Sequence, residues 1–594
     1  MSRKRSIIYI SLILLFGFLI NIIPIKAEIP PGPAIPEFSL NGKVDYLIIT
    51  TDKFHEEVEP ISIWKTQKGL STELKTVQEI EIEYSGANLG EKIKNCINEY
   101  YQNNDTKWVL LAGDHPRLPS QYVKAVEDFP YDGDVVNCDF YYADLDNDWD
   151  LNGDHAYGTA LDEYDFKPEV FVGRIPANNE TEMQMLIQRS LNYEKNPVVG
   201  SWMERAIFAG SILYFALDWN GDDVVDYGEC DANRVNNFIN STHFPGWNTT
   251  FLAQTQGVKG SDYYSDMQFS SGNLKREINK GSSVCTIFAH GSPQGFGIDK
   301  WTTDYDGDGL FDYTACPFNE SGIAVDVEES YTLLNTDSTG LNPRDGRFSF
   351  FYVGSCSTGT FDEYDEDCLA EYLLKKAAIG VIASSEVCWG EDQWYEREHG
   401  GWFIEGLGFR LWEQFMISNK PGEAFALAKA DYEADRAISA EPYEYPEWHD
   451  KCLKQYNLFC DPELSIWKKI PKQLNMSELS VNNDNFTLEI TAEGELVENA
   501  TFTLEKDGEI LWRAQSDVNG EIYLPFSNDL LEDMTCTIYK DGYLPFQEIY
   551  DEAPTSTTTT IPGYNLIFLI SLSVILSVLL GKNLMKLQKK IIKR

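Results

Sequence analysis

The feature that most restricts the fold is a series of short apolar runs, each ending in small or polar residues. They are V-D-Y-L-I-I-T-T (44–51), K-W-V-L-L-A-G-D (107–114), E-R-A-I-F-A-G-S-I (204–212), S-S-V-C-T-I-F-A-H-G (282–291), F-S-F-F-Y-V-G-S-C (348–356) and G-V-I-A-S-S (380–385). Strands without in–out alternation are buried on both faces, which is the condition of a parallel sheet covered by helices. Helical patterns lie between them: one ending in W-K-T-Q-K-G-L, one over 89–104, D-A-N-R-V-N-N-F-I-N, and E-D-C-L-A-E-Y-L-L-K-K-A-A. Strand alternating with helix predicts an α/β chain, here as two doubly wound units in tandem, 43–198 and 199–468. After Pro471 the texture becomes F-T-L-E-I-T-A, A-T-F-T-L-E-K-D-G-E-I-L-W and C-T-I-Y-K-D-G-Y. Alternation with Asp-Gly turns predicts a small Ig-like β-sandwich over 472–551.

The ends read as targeting segments. Residues 1–27 carry three basic residues, an apolar run from Ile7 to Ile23 and a small residue at Ala27, the pattern of an export signal. A Pro-rich lead-in follows over 28–42. At the other end a Thr/Pro stalk (552–563) precedes an uncharged stretch, 564–581, long enough to span a bilayer as a transmembrane helix. The basic tail 582–594 places that end in the cytoplasm and the bulk of the chain at the cell surface. Eight N-x-S/T sites, at Asn104, Asn179, Asn240, Asn248, Asn319, Asn475, Asn485 and Asn499, suit an exported chain. The net charge of −46 argues against a nucleic-acid partner and suits a surface that gathers divalent cations. Eleven cysteines without a C-x-x-C pair indicate neither a zinc ribbon nor a thioredoxin motif, and their odd number leaves at least one thiol unpaired within the chain.

Chemistry is expected beyond the carboxyl ends of the strands. His290 stands at one such end and Cys356 at another. If those strands are neighbours, imidazole and thiol face one crevice, and a histidine can hold a cysteine as the thiolate nucleophile. Gly291, lacking a Cβ, lets its amide approach a substrate oxyanion beside the amide of Cys356. The helix after Phe361–Asp365 would add positive potential near the sulfur. A cysteine ending an apolar strand is otherwise most often a small buried hydrophobe.

H-G at one strand end and S-C at a later one resemble the caspase-like cysteine peptidases, and the gingipain family more closely. V-D-Y-L-I-I-T…W-K-T-Q-K-G-L, V-L-L-A-G-D-H-P-R-L-P-S, V-G-R-I-P-A (172–177) and N-L-F-C-D-P-E-L (457–464) resemble that family's recurrent stretches in order, with Cys460 where glycine is usual. The resemblance implies two caspase-like units, an endopeptidase acting on proteins or peptides, Cys356 as nucleophile and His290 as base or proton donor. It also implies a basic side chain before the cleaved bond. Y-G-E-C-D (227–231) resembles the segment that gives arginine-specific members their pocket acid, here Asp231. C-W-G-E-D (388–392) resembles the lysine-specific pocket, with Trp389 as wall and Asp392 as anion. An acid upstream of the histidine is expected to orient it, and Asp218 is the candidate.

Two acidic loops have calcium-loop spacing. The first would use Asp218, Asn220, Asp222, Val224, Asp226 and Glu229, although Asp223 stands where glycine is expected. The second would use Asp304, Asp306, Asp308, Leu310 and Asp312, with Gly309 at the turn. D-L-D-N-D-W-D-L-N-G-D (144–154) is a third acidic loop. Asp218 is poorly suited to serve both calcium and the histidine. Two other functions fit parts of the chain: a non-catalytic calcium-binding adhesion ectodomain, and a sorting transpeptidase using the same dyad.

Overall fold

The computed structural model describes residues 42–550, except 126–134, 219–223, 226–227, 305–306, 313–325, 363–365, 392, 440–445, 478–479, 483–484 and 526–533. The export signal, stalk, apolar span and basic tail read from the sequence lie outside the described residues. Among the described residues no helix is long and apolar enough to cross a membrane.

Two parallel sheets organise the chain up to Trp467. In the first, four strands run in the spatial order Thr72–Thr76, Tyr46–Thr50, Trp108–Ala112, Phe171–Ile175, all parallel. In the second, seven strands run in the order Met267–Gln268, Asn248–Ala253, Arg205–Gly210, Val284–Phe288, Ser349–Gly354, Ala378–Ser384, Tyr456–Phe459. Only the last is antiparallel to its neighbour. The central apolar runs are buried along their whole length, as their lack of alternation requires.

The helices start where the sequence supplies caps. Asn88 accepts from the Glu91 amide at the start of Leu89–Asn104, and Asp231 from the Asn233 amide at the start of Ala232–His243. Thr76 and Glu79 form a reciprocal capping box. Three further helices, Phe403–Ile417, Pro421–Ile438 and Pro446–Gln455, fill a stretch that strand-counting leaves empty.

The sheets meet edge to edge. A Cβ built on Gly173 would stand 2.4 Å from the Cys460 carbonyl oxygen, so glycine is the residue that fits there. Common apolar cores include residues of both sheets, such as Val109 with Tyr352 and Ile48 with Val353. Buried charges reinforce the junction. Lys65 lies 2.5 Å from Asp461 and 2.6 Å from Glu463, and Lys68 lies 2.7 Å from Glu463 and 2.9 Å from Glu194. Arg174 grips Asp139 with two nitrogens at 2.6 and 2.7 Å and donates to the carbonyls of Gly113 and Leu118.

Among the described residues beyond 471, every regular element is a strand. Glu509–Gln515, Thr501–Lys506, Met534–Tyr539 and Phe546–Tyr550 form one antiparallel sheet. Asn485–Ala492 is the centre of another, and both contribute to one apolar core with Leu474, Ile490, Phe502 and Ile538. The D-G turn at Asp507-Gly508 has both residues at positive φ, +52° and +82°, as a tight hairpin demands. This part leans on the first sheet's unit: Gln547 donates to Gln67, the last residue of the helix His55–Gln67, and Arg513 lies 3.3 Å from Asp45, just before the strand Tyr46–Thr50.

Candidate active site

The strands carrying the histidine and the cysteine are adjacent. Val284–Phe288 and Ser349–Gly354 pair in parallel, with Phe288 opposite Gly354. His290 and Cys356 each stand two residues past that pair, so the register carries both to the same end of the sheet. Contact between the two strand ends is direct. A Cβ on Gly291 would lie 2.3 Å from the Cys356 carbonyl oxygen and 2.7 Å from its nitrogen. The glycine lets two main chains touch.

The residue after the cysteine, Ser357, sits at φ +54°, a conformation that L-residues rarely adopt. It is held there by neighbours. The Ser357 amide donates to the Glu386 carbonyl at 2.9 Å, and the Gly359 amide to Ser384 at 2.7 Å. The next helix, Leu369–Lys376, lies within the stretch E-D-C-L-A-E-Y-L-L-K-K-A-A. Its first amides serve two loops: Leu369 donates to the Pro293 carbonyl and Ala370 to the Thr358 carbonyl. The helix end thus ties the histidine side to the cysteine side.

His290 does not enter a flexible glycine loop. It begins a hairpin, His290–Ser292 against Gly295–Thr303, with His290 opposite Gly297. Asp299, two residues further along, therefore returns to the same face. Its carboxylate lies 3.6 Å from the His290 Nε2. Both side chains are partly exposed. Asp299 went unnoticed in the sequence because S-P-Q-G was read as loop. Read as a two-residue hairpin turn, it would have placed the acid. Asp218, the candidate orienting acid, is buried and lies opposite Asp312 in a short strand pair, Leu217–Asp218 with Phe311–Asp312.

The Cys356 thiol donates to the Cys388 carbonyl at 3.3 Å, which sets the nucleophile candidate beside Trp389. Trp389 stacks on Trp448, ring centres 5.0 Å apart and planes 10° apart. Asp392 lies outside the described residues. Asp231 is buried. One carboxylate oxygen caps its helix, and the Ser261 hydroxyl lies near the carboxylate. Burial pushes its carboxyl above the ordinary range.

The two specificity segments, alternatives in the sequence, converge on a residue that sequence reading missed. Glu405 is fully buried, accepts from the Cys230 thiol at 3.5 Å and from the Glu391 amide at 3.3 Å. It thereby joins the strand Cys230–Asp231 to the W-G-E segment. Gly390 is required there, since a Cβ would lie 2.5 Å from the carboxylate. Burial, then the neighbouring Glu391, pushes the Glu405 carboxyl up to about 8, so it is mostly neutral at pH 7. The signal was one acid within the apolar run W-F-I-E-G-L-G-F (402–409).

Of the calcium-loop candidates, Asn220, Asp222, Asp226 and Asp306 lie outside the described residues. Val224 is exposed, and Glu229 faces Lys259 at 3.6 Å. Asp304 accepts from the amides of Gly307 and Gly309, Asp308 accepts from the Leu310 amide, and the backbone of Asp312 pairs with that of Asp218. In the third acidic loop, Asp144 and Asp146 gather with Glu169, and Asp150 with Glu91 and His155.

Comparison with known proteins follows this geometry. Gingipain R2 of Porphyromonas gingivalis is 21% identical over 514 residues, covering 85% of this chain and 56% of that protein. Gingipain R1 of the same organism is 23% identical over 506 residues, covering 80% and 41%. Lys-gingipain W83 is 21% identical over 364 residues, covering 60% and 16%. The chain thus spans about half the length of Gingipain R2 and less than half that of Gingipain R1. The crystal structure of the Arg-specific cysteine proteinase gingipain R matches with a TM-score of 0.56 at 17% identity, covering 87% of this chain and 99% of that one. The complex of the Porphyromonas gingivalis RgpB pro- and mature domains matches at 0.55 and 18%, covering 85% and 99%. These likenesses show the gingipain, caspase-like α/β fold. Residues 39–467 match the model of peptidase family C25, and the chain belongs to that family.

Proposed function

We propose that this chain is a cysteine endopeptidase in which Cys356 is the nucleophile and His290 its proton partner. The observation that carries the reading is the register of the two strands, with Gly291 pressed against the main chain of Cys356. The thiolate attacks the scissile carbonyl. The oxyanion is received by main-chain amides at the two strand ends, and His290 protonates the departing amine. Water then attacks the thioester and releases the acid. Asp299 orients the imidazole through its 3.6 Å approach.

A basic side chain, Arg or Lys, is the proposed preference before the cleaved bond. The buried carboxylate of Asp231 supports it, since burial disfavours its charged form and a charged donor would restore it. The named specificity of the gingipain relatives points the same way. The all-strand region after 471 is proposed as an Ig-like accessory domain, and the α/β part as two caspase-like units. The terminal segments suggest anchoring at the cell surface by the span 564–581. Calcium at the 218–229 and 304–312 loops is proposed as structural. The donors are hard carboxylate oxygens, and the Asp218–Asp312 pairing brings the two loops together. No change in melting temperature on chelation would overturn the calcium reading.

The deciding experiment incubates the full-length chain with a peptide library and reads products by mass spectrometry beside Cys356→Ala and His290→Ala. Cleavage after Arg or Lys that vanishes in both variants is expected. Cleavage elsewhere overturns the role of Asp231, and products joined to an added amine indicate transpeptidation. Peptide binding without cleavage by a folded, calcium-loaded chain favours an adhesion role.

A further inference from the structure

Cys388 lies beneath the proposed nucleophile and takes no part in the mechanism above. Its Sγ is 4.0 Å from the Sγ of Cys356. The Cys356 thiol also donates to the Cys388 carbonyl at 3.3 Å, so the two residues are held face to face by main chain as well as by sulfur. Their environments differ. Cys356 is the only cysteine among the described residues that is not buried, whereas Cys388 is 5% exposed. An oxidant from solvent therefore meets Cys356 first. Cys388 sits in the core with the Tyr456 hydroxyl donating to its sulfur at 3.5 Å.

We propose that Cys356 and Cys388 form a reversible disulfide, making the pair a modification site whose oxidant is a peroxide and whose reductant is a thiol. In the first step the Cys356 thiolate attacks one peroxide oxygen. The O–O bond breaks, an S–O bond forms, and the second oxygen leaves as water once protonated. In the second step the Cys388 sulfur attacks the sulfenic sulfur. The S–S bond forms, the S–O bond breaks, and hydroxide leaves as water carrying the Cys388 proton. The sum is two thiols and one peroxide giving one disulfide and two waters, with both sulfurs oxidised and the peroxide reduced.

The sulfurs must close from 4.0 Å to about 2.05 Å. The partly exposed Cys356 side chain can supply the movement, since the Cys388 sulfur is buried and held by the Tyr456 hydroxyl. The Cys388 thiol is held well above its ordinary range by burial first, so it keeps its proton until the sulfenic acid offers a leaving group. This makes it a poor nucleophile toward bulk oxidant and a local one toward Cys356. The disulfide would shelter Cys356 from the sulfinic and sulfonic states, which simple thiols do not reverse. The consequence for activity rests on Cys356 being the nucleophile; the cross-link itself does not.

The test exposes the full-length chain to graded hydrogen peroxide, blocks remaining thiols with iodoacetamide and maps peptides by mass spectrometry. A cross-linked peptide joining Cys356 to Cys388 is expected, each sulfur having lost one hydrogen. Peptidase activity should fall in step with the cross-link and return with dithiothreitol. In Cys388→Ser and Cys388→Ala, Cys356 should instead gain two or three oxygens, and activity should not return. The wild-type peptide map needs no variant, so it decides the matter even if both substitutions unfold the chain. Direct conversion of wild-type Cys356 to sulfinic acid without the cross-link overturns the proposal. So does recovery of the Cys388 variants equal to wild type. A cross-link in a chain that cleaves no peptide would sink the peptidase reading alone.

Discussion

Gly291→Ala is the substitution that most directly questions the site. The added carbon would stand 2.3 Å from the Cys356 carbonyl oxygen, about 1.1 Å short of the 3.4 Å at which ordinary contact begins. It would also meet the Cys356 nitrogen at 2.7 Å and the Ser355 Cβ at 2.8 Å, so no single side-chain rotation relieves it. The two strand ends must part by about an ångström. Displacement of that size costs an aligned reaction about 10²-fold. Loss of one oxyanion donor by itself costs about 10²–10³-fold, or about 2.7–4 kcal/mol. The strands behind remain paired, so the fold should persist. The assay is kcat/KM on peptidyl-Arg and peptidyl-Lys amides beside a thermal melt. Gly272→Ala, whose Cβ would meet nothing within 4 Å, is the control. A Gly291→Ala protein within about threefold of wild type would refute the reasoning, because a 10²-fold loss is what the contact demands.

Asp299→Asn should lower kcat about tenfold or more with little change in KM, since Asp299 is proposed to act through His290 and not on substrate; an equal rise in KM would count against this. Glu405 has its folded value raised from 4.5 to about 8, so its contribution to stability is fully present below about pH 4.5 and is lost as pH rises through about 8. Glu405→Gln stays neutral, and its melting temperature relative to wild type should rise from about pH 5 to about pH 9; a flat difference would remove Glu405 from the buried, titrating group. Lys65→Met leaves Asp461 without the lysine at 2.5 Å and takes one of three lysines from Glu463, and should cost about 3–5 kcal/mol in denaturant unfolding, while a neutral result would mean that Lys68 and Lys420 compensate.

What was legible in the sequence depended on its range. The apolar runs read as strands because burial on both faces erases alternation, a property of neighbouring residues. The strand ends then named His290 and Cys356. Asp299 was hidden by a turn read as loop, and Glu405 by its place inside a helix whose existence the strand pattern did not signal. Cys388 was passed over for its neighbour Trp389. Two of these depend on contacts between distant segments, Glu405 with Cys230 and Cys388 with Cys356, and the third on a hairpin that brings Asp299 to His290. Periodicity carries no information about such contacts.

The stretches that carried the family resemblance do different physical work from the dyad. W-K-T-Q-K supplies Lys65 and Lys68, and C-D-P-E-L supplies Asp461 and Glu463, which meet in one buried charge cluster. V-G-R-I-P supplies Arg174, whose guanidinium holds the carbonyls of Gly113 and Leu118 within V-L-L-A-G-D-H-P-R-L-P. A buried charge tolerates loss of its partner badly, so each stretch constrains another far away in the chain. The cluster also reaches beyond the α/β part, since Lys420 lies 3.0 Å from Asp541. These residues fix how the first sheet, the second sheet and the all-strand region sit together. They therefore fix the edge from which the His290 and Cys356 strands are counted. The motifs identify the fold by its joints, and the proposed chemistry stands at two strand ends.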